Sequence, residues 1–127
     1  MRHRILTALA MLTAAIALLS GCASAPRTGT PSVAETVWSG SSDTQAYVEF
    51  HFRKDGTLDF KSDQGFWPRA GTWKQDNQSI YIEMNNRFAE YKGVISGLFM
   101  HGRGSNVQGL EWNWKVRIAL LSLPKWQ

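Results

Sequence analysis

The chain has 127 residues, of which 43% are hydrophobic and 12% aromatic, and it carries a formal charge of +4 at pH 7. This length fits one domain with one core. The lysines and arginines are scattered, which excludes the basic patch typical of proteins that bind nucleic acid. The single cysteine excludes an internal disulfide.

The first residues have the pattern of a secretory signal peptide. Arg2 and Arg4 precede an apolar run over residues 5–19, and two small residues follow it. The run is shorter than the roughly 20 residues that a transmembrane helix needs. We therefore predict that residues 1–21 form a helical signal peptide.

The only cysteine, Cys22, ends the sequence Leu19-Ser20-Gly21-Cys22. This sequence resembles the lipobox of bacterial lipoproteins, in which the cysteine is alkylated by diacylglycerol and becomes the acylated N-terminus. The resemblance implies lipidation of Cys22, and Ala23 in place of an aspartate implies the outer membrane, with the protein facing the periplasm. An acyl anchor of two or more chains suffices for stable membrane attachment. The alternatives are an ordinary signal peptide with an unrelated cysteine, or a thiol nucleophile, for which no base stands nearby.

Residues 22–35 read as a flexible linker. They contain prolines, glycine and small polar side chains, and they lack aromatic residues. The remaining residues, 36–127, then form one domain. Throughout that domain apolar and polar side chains alternate, and turn residues interrupt the alternation at short intervals, which predicts an all-β sandwich or barrel.

The strands are predicted in chain order, and each turn is placed so that the apolar faces of the two strands that it joins come into register. Trp38 and Gly40 mark a first strand, and residues 47–53 a second. A three-residue loop at 54–56, with Gly56 in the left-handed conformation, sets Phe52 opposite Leu58 and Phe50 opposite Phe60. Two-residue turns then follow at Asp76-Asn77, Asn85-Asn86 and Ser96-Gly97, and they pair Trp73 with Ile80, Ile82 with Ala89, and Ile95 with Leu98.

The last strand, Leu110–Ile118, alternates strictly and follows a loop beginning at Gly102. With the preceding turns it gives eight strands in an antiparallel up-and-down meander, the number at which a small sheet closes into a barrel. Most of the strands are shorter than the 9 to 11 residues typical of membrane barrels, so the apolar faces are expected to point inward. The final segment, Ile118–Gln127, is expected to pack on the barrel or to contact a neighbour.

The domain resembles the small bacterial lipoproteins with a lipocalin-like, or calycin, barrel. The resemblance rests on F-x-x-D-G-T at residues 52–57, on G-T-W at residues 71–73, and on the late aromatic strand. It implies a lipocalin-like β-barrel, the fold in which lipocalin-like binders hold a small apolar or amphipathic molecule.

No constellation of catalytic or metal-binding residues is evident, so we predict a noncatalytic protein without metal or cofactor. His51 and His101 fall on the predicted polar face. Asp55, Asp59 and Asp63 are interpreted as residues of turns and of the solvated surface, and they lack the pattern of a calcium loop. The G-x-G at residues 102–104 is interpreted as part of a flexible hairpin loop.

Two noncatalytic functions remain open. In the first, the barrel interior holds a ligand, although the same side chains could instead form a solid core; they are Phe50, Phe52, Phe60, Trp73, Ile82, Tyr91, Trp112 and Trp114. In the second, the protein is an envelope interaction, assembly or inhibitor module whose partner protein binds surface aromatics. The candidates for that surface are Phe66, Trp67, Tyr81, Phe88 and Phe99, with Phe66 and Trp67 placed in a loop.

Overall fold

The computed structural model describes residues 29–119, which form a closed antiparallel barrel of eight strands. The strands are β1 (Thr36–Ser42), β2 (Val48–Phe52), β3 (Thr57–Ser62), β4 (Gly65–Asp76), β5 (Ser79–Met84), β6 (Ala89–Ser96), β7 (Phe99–Asn106) and β8 (Glu111–Ile118). Among the described residues, no helix is long and apolar enough to cross a membrane. The predicted signal peptide, Cys22 and residues 120–127 lie outside the described part of the chain.

Each strand pairs with its neighbours in sequence, and β1 closes the barrel by pairing with β8 as well as β2. The alternation of the sequence becomes an alternation of burial, most clearly in β8, where every second side chain is buried. The buried apolar residues form one core cluster inside the barrel. The predicted fold class and the inward direction of the apolar faces are therefore confirmed.

The hairpin between β2 and β3 has the predicted register. Phe52 lies opposite Leu58 and Phe50 lies opposite Phe60. Gly56 has a φ of +86°, the left-handed conformation that the loop requires.

The next three predicted turns were each wrong by two residues in register. Trp73 pairs with Ile82, and Ile95 pairs with Met100, because the left-handed Asn77 and Gly97 occupy the first position of their two-residue loops and not the second. The loop between β5 and β6 has four residues, 85–88, so Met84 and not Ile82 faces the alanine that begins β6. A shift of two residues leaves every side chain on its own face, so alternation alone does not detect it.

Several boundaries also differ from the prediction. Residues 66–68 belong to β4 and not to a loop, and β7 continues through the predicted glycine loop to Asn106. Leu98 and Leu110, both predicted to face the core, are exposed because each lies in a connection between strands.

Asp59 is buried, 4% exposed, contrary to its interpretation as a surface residue. It lies at a bulge where the register of β3 against β4 shifts, and Arg69 on β4 adopts a φ of +49°. Asp59 accepts hydrogen bonds from Arg53 Nε at 2.9 Å and from the backbone N–H of Arg69 at 2.8 Å. Its carboxylate therefore holds the bulge in place.

The end of the predicted linker packs against the barrel. Val33 is 2% exposed and belongs to the core cluster. Its backbone N–H donates to Gln75 at 3.0 Å, and the N–H of Thr30 donates to Asn77 at 3.1 Å. Residues 29–35 thus cover the barrel end that carries the β4–β5 turn, and among the residues predicted as linker this part is not a free stalk.

Candidate ligand site at the open end of the barrel

A cavity of about 400 Å³ opens at the barrel end opposite to Val33. In an up-and-down barrel alternate hairpins lie at the same end, so the β1–β2, β3–β4, β5–β6 and β7–β8 connections surround this opening. Its volume is within the 300 to 1,000 Å³ typical of small-molecule sites. The lining residues are Thr44, Gln45, Phe60, Gln64, Trp67, Ala70, Met84, Asn85, Phe88, Ala89, Tyr91, Asn106, Leu110 and Trp112.

Stacked and edge-on aromatic rings form the walls. Trp67 is 42% exposed and lies parallel to Phe60, with ring centroids 5.8 Å apart and an interplanar angle of 22°. One face of the indole is thus supported by Phe60. On the other side of the cavity, Tyr91 and Trp112 meet edge to face at 5.4 Å. These contacts fix the orientation of rings that a ligand could contact.

Below the cavity the barrel interior is solid. Four of the eight predicted interior residues are packed in the core, at 2% exposure or less: Phe50, Phe52, Ile82 and Trp114. Three others, Phe60, Tyr91 and Trp112, line the cavity. Trp73 is half-buried at the covered end, where its Nε1 donates to the carbonyl of Arg53 at 2.9 Å.

Two glycines make space for the indoles of β8. A Cβ on Gly93 would lie 2.6 Å from Trp114, and a Cβ on Gly104 would lie 2.2 Å from Trp112. The space beside Gly93 is therefore filled by a side chain. Both indole N–H groups are buried without a hydrogen-bond partner among the described residues, so each tryptophan is held by packing.

Within the described part of the chain, Tyr91 is the only titratable side chain that lines the cavity. Burial raises the pKa of Tyr91 to about 12, and the neighbouring Trp112 N–H, which lies outside hydrogen-bond geometry, opposes that shift. The phenol is thus neutral at physiological pH. The cavity wall therefore carries no formal charge.

The five predicted surface aromatics do not form one patch. Trp67 and Phe88 line the cavity, whereas Phe66, Tyr81 and Phe99 lie on the outer face of the barrel. Phe66 on β4 and Phe99 on β7 lie three strands apart by the shorter way around the closed barrel, and they lie towards opposite barrel ends, beside the β3–β4 connection and the β6–β7 turn.

Tyr81 is committed to contacts within the chain. Its hydroxyl donates towards Glu83 and Glu90, at 3.0 and 2.9 Å, and burial together with these carboxylates raises its pKa. Tyr47, which directly precedes β2, and His51 on β2 both hydrogen bond to Glu49. Burial opposes the charge on Glu49, but the Tyr47 and His51 hydrogen bonds prevail and lower its pKa. No group of three or more potential metal ligands occurs among residues 29–119.

Sequence reasoning missed the polar side chains at the rim of the cavity. The side-chain amides of Gln45, Gln64 and Asn85 have no hydrogen-bond partner within residues 29–119, although their backbone N–H groups do. Asn106 is different, because its Oδ1 accepts the backbone N–H groups of Gln108 and Leu110 at 3.0 and 3.1 Å. The predicted topology could have identified these residues, since alternate hairpin connections share one barrel end.

Comparisons of the chain with models of protein families, with curated proteins and with solved structures found no match.

Proposed function

We propose that this protein is an exported lipoprotein, anchored through lipid on Cys22, whose barrel binds a small amphipathic molecule without altering it chemically. The observation that supports binding is the cavity of about 400 Å³, lined by aromatic rings and open at one barrel end only. Aromatic side chains that line a concave site, together with polar groups that can orient a ligand, are typical of small-molecule sites.

The position of the cavity also fits an anchored protein. Residues 29–35 approach the barrel at the covered end, and the cavity opens at the other end. A lipid on Cys22 would therefore attach the protein through the covered end. The cavity would open away from the membrane surface, where a ligand can reach it from the periplasm.

Adjacent residues on β4 provide a matched test. Trp67 lines the cavity at 42% exposure, whereas its neighbour Phe66 is 51% exposed on the outer face. We expect native mass spectrometry of the full-length protein, extracted in mild detergent, to detect a noncovalent adduct on the wild type. Phe66→Ala should retain the adduct and Trp67→Ala should lose most of it, with circular dichroism confirming that both variants fold.

The same spectra test the anchor. Under denaturing conditions the covalent mass should correspond to an acylated chain beginning at Cys22, and Cys22→Ser should lack the added mass. An unmodified cysteine would refute the anchor. The absence of an adduct on wild type, or its loss in Phe66→Ala alone, would refute the binding function.

A protein-interaction module is the second candidate, and one observation favours it. Phe66 and Phe99 are 51% and 56% exposed on the outer face, so about half of each side chain is available to a partner. Because they lie three strands apart and towards opposite barrel ends, a partner that contacts both must cover several strands. Two results together would favour this candidate: wild type carries no noncovalent adduct, and an envelope protein that co-purifies with wild type is lost from Phe66→Ala or Phe99→Ala.

A further inference from the structure

We infer that the ligand of the open end is an uncharged, hydroxyl-bearing ring compound, such as a neutral glycoside, and not a fatty acid or another ionic amphiphile. This inference rests on the proposed binding function and specifies its ligand. It depends on three features of the mouth: the absence of charge in the lining, the uncommitted amides of the rim, and the flat face of Trp67.

The first feature is electrostatic. Among residues 29–119, the side chains that line the cavity include no Asp, Glu, Lys, Arg or His. The ion pairs near this end are made on the outside of the barrel: Arg103 Nη2 is 3.0 Å from Glu111, and Arg87 Nε is 3.7 Å from Glu83. A ligand carboxylate or ammonium group entering the cavity would lose hydration without gaining an opposite charge, which is unfavourable.

The second feature is hydrogen-bonding capacity. A side-chain amide offers both N–H donors and a carbonyl acceptor, and a hydroxyl group needs one of each. Gln45, Gln64 and Asn85 come from three different connections, β1–β2, β3–β4 and β5–β6, so they surround the opening from three sides. A molecule with several hydroxyl groups could bond to all three, whereas a simple alcohol could use only one or two of them.

The third feature is the shape of the wall. Trp67 stacks against Phe60 at an interplanar angle of 22°, and both rings line the cavity. A flat ring is a surface on which the C–H face of a sugar ring, or another flat ring, can pack over a large area. Such a compound would place its ring at Trp67 and its hydroxyl groups at the amides.

The test compares three probes with the same alkyl chain and different head groups: octyl glucoside, octanol and octanoate. Isothermal titration calorimetry on the full-length protein, held in a nonbinding polymer scaffold in place of detergent, should detect octyl glucoside at least about tenfold tighter than the other two, a difference of about 1.4 kcal/mol. Octanol binding as tightly as the glucoside, or octanoate binding more tightly, would overturn the inference while leaving small-molecule binding intact.

Variants separate the rim from the wall. Gln45→Leu should weaken octyl glucoside about fivefold, the effect of one hydrogen bond, and should weaken octanol less, because its single hydroxyl can bond to Gln64 or Asn85 instead. Gln78→Leu, in the β4–β5 turn at the covered end, is the matched control and should change neither. An equal effect of both variants would contradict the assigned role of the rim. If none of the probes binds, the inference fails; the adduct experiment on wild type then decides separately whether the barrel binds anything.

Discussion

Replacing Gly104 with alanine is expected to destabilise the barrel strongly, because the new methyl group has no room beside Trp112. An ideal Cβ at this position would lie 2.2 Å from Nε1 and 2.3 Å from Cε2 of the indole. Both are atoms of a rigid ring, so the ring must rotate or β7 must shift. Overpacking of this kind costs typically about 1 to 3 kcal/mol, and we expect about 2 to 3 kcal/mol here because Trp112 is buried against Tyr91.

The assay is urea denaturation followed by tryptophan fluorescence, supported by thermal denaturation. For a domain of this size, the expected loss corresponds to a fall in melting temperature of roughly 10 to 20 °C. The decisive comparison is Gly104→Ala in a Trp112→Phe background. Phe is smaller than Trp and relieves the clash, so Gly104→Ala should cost much less in the Trp112→Phe background. Trp112→Phe by itself also removes a buried indole N–H that has no hydrogen-bond partner among the described residues.

Gly97→Ala provides the control. Gly97 has a φ of +60° and no atom within 4 Å of the position of a Cβ, so alanine there should cost about 1 kcal/mol through backbone strain alone. That cost should be the same with Trp112 or Phe at position 112. If Gly104→Ala is equally destabilising in both backgrounds, the clash with the indole is not its cause and the reasoning is refuted.

Three further predictions concern other parts of the fold. Asp59→Asn should lower the free energy of unfolding by about 2 kcal/mol in urea titrations, because the bulge loses hydrogen bonds to a charged acceptor. Burial raises the pKa of Asp59. The hydrogen bonds from Arg53 and from the backbone N–H of Arg69 lower the pKa by more than burial raises it, so the pKa lies below its usual value. The charged carboxylate therefore stabilises the fold above about pH 4, and this stabilisation is lost as the pH falls through the lowered pKa of Asp59. Acid titration should narrow the difference in the free energy of unfolding between wild type and Asp59→Asn. Val33→Ala should lower stability by about 2 kcal/mol in thermal denaturation, since it leaves a cavity at the covered end. Spectrophotometric titration should detect no tyrosinate at pH 10 from Tyr91, whose pKa is raised to about 12 by burial.

Each of these expectations has a contrary result. A variant Asp59→Asn as stable as wild type at neutral pH would mean that the bulge is held by backbone pairing alone. A neutral Val33→Ala would mean that residues 29–35 contribute little to the core. Ionisation of all three tyrosines near pH 10 would contradict the buried, neutral phenol in the cavity wall.

The face of each strand could be predicted from the sequence because burial follows the side-chain period of two. In β2 and β8 the predicted inward residues are the buried ones. Register is a separate quantity, because it depends on which loop residue takes the left-handed conformation. Asn77 and Gly97 each allowed two placements that differ by two residues and preserve every face, so local pattern did not decide between them.

The buried carboxylate was missed for a different reason. Asp59 occupies a polar position of a strand, where an exposed side chain is expected. Its burial depends on a bulge in β4, 10 residues away along the chain, whose backbone N–H at Arg69 points at it. Nothing in the local sequence of β3 contains that information, since the hydrogen bond exists only once the two strands pair.

The barrel interior is packed at its middle and open at one end, so a solid core and a cavity are not alternatives for the whole interior. Trp114 fills the space left by Gly93, so the middle of the barrel is closed by its own side chains. The register of β4 against β3 shifts at the bulge. Beyond the bulge, Trp67 packs on Phe60 near the rim and not in the centre of the barrel. A barrel this small can therefore be packed at its middle and still hold a ligand, provided that the site is at one end. Under the proposed binding function, the residues that stabilise the fold are separate from those that bind, so substitutions at Gln45 should alter ligand choice without unfolding the protein.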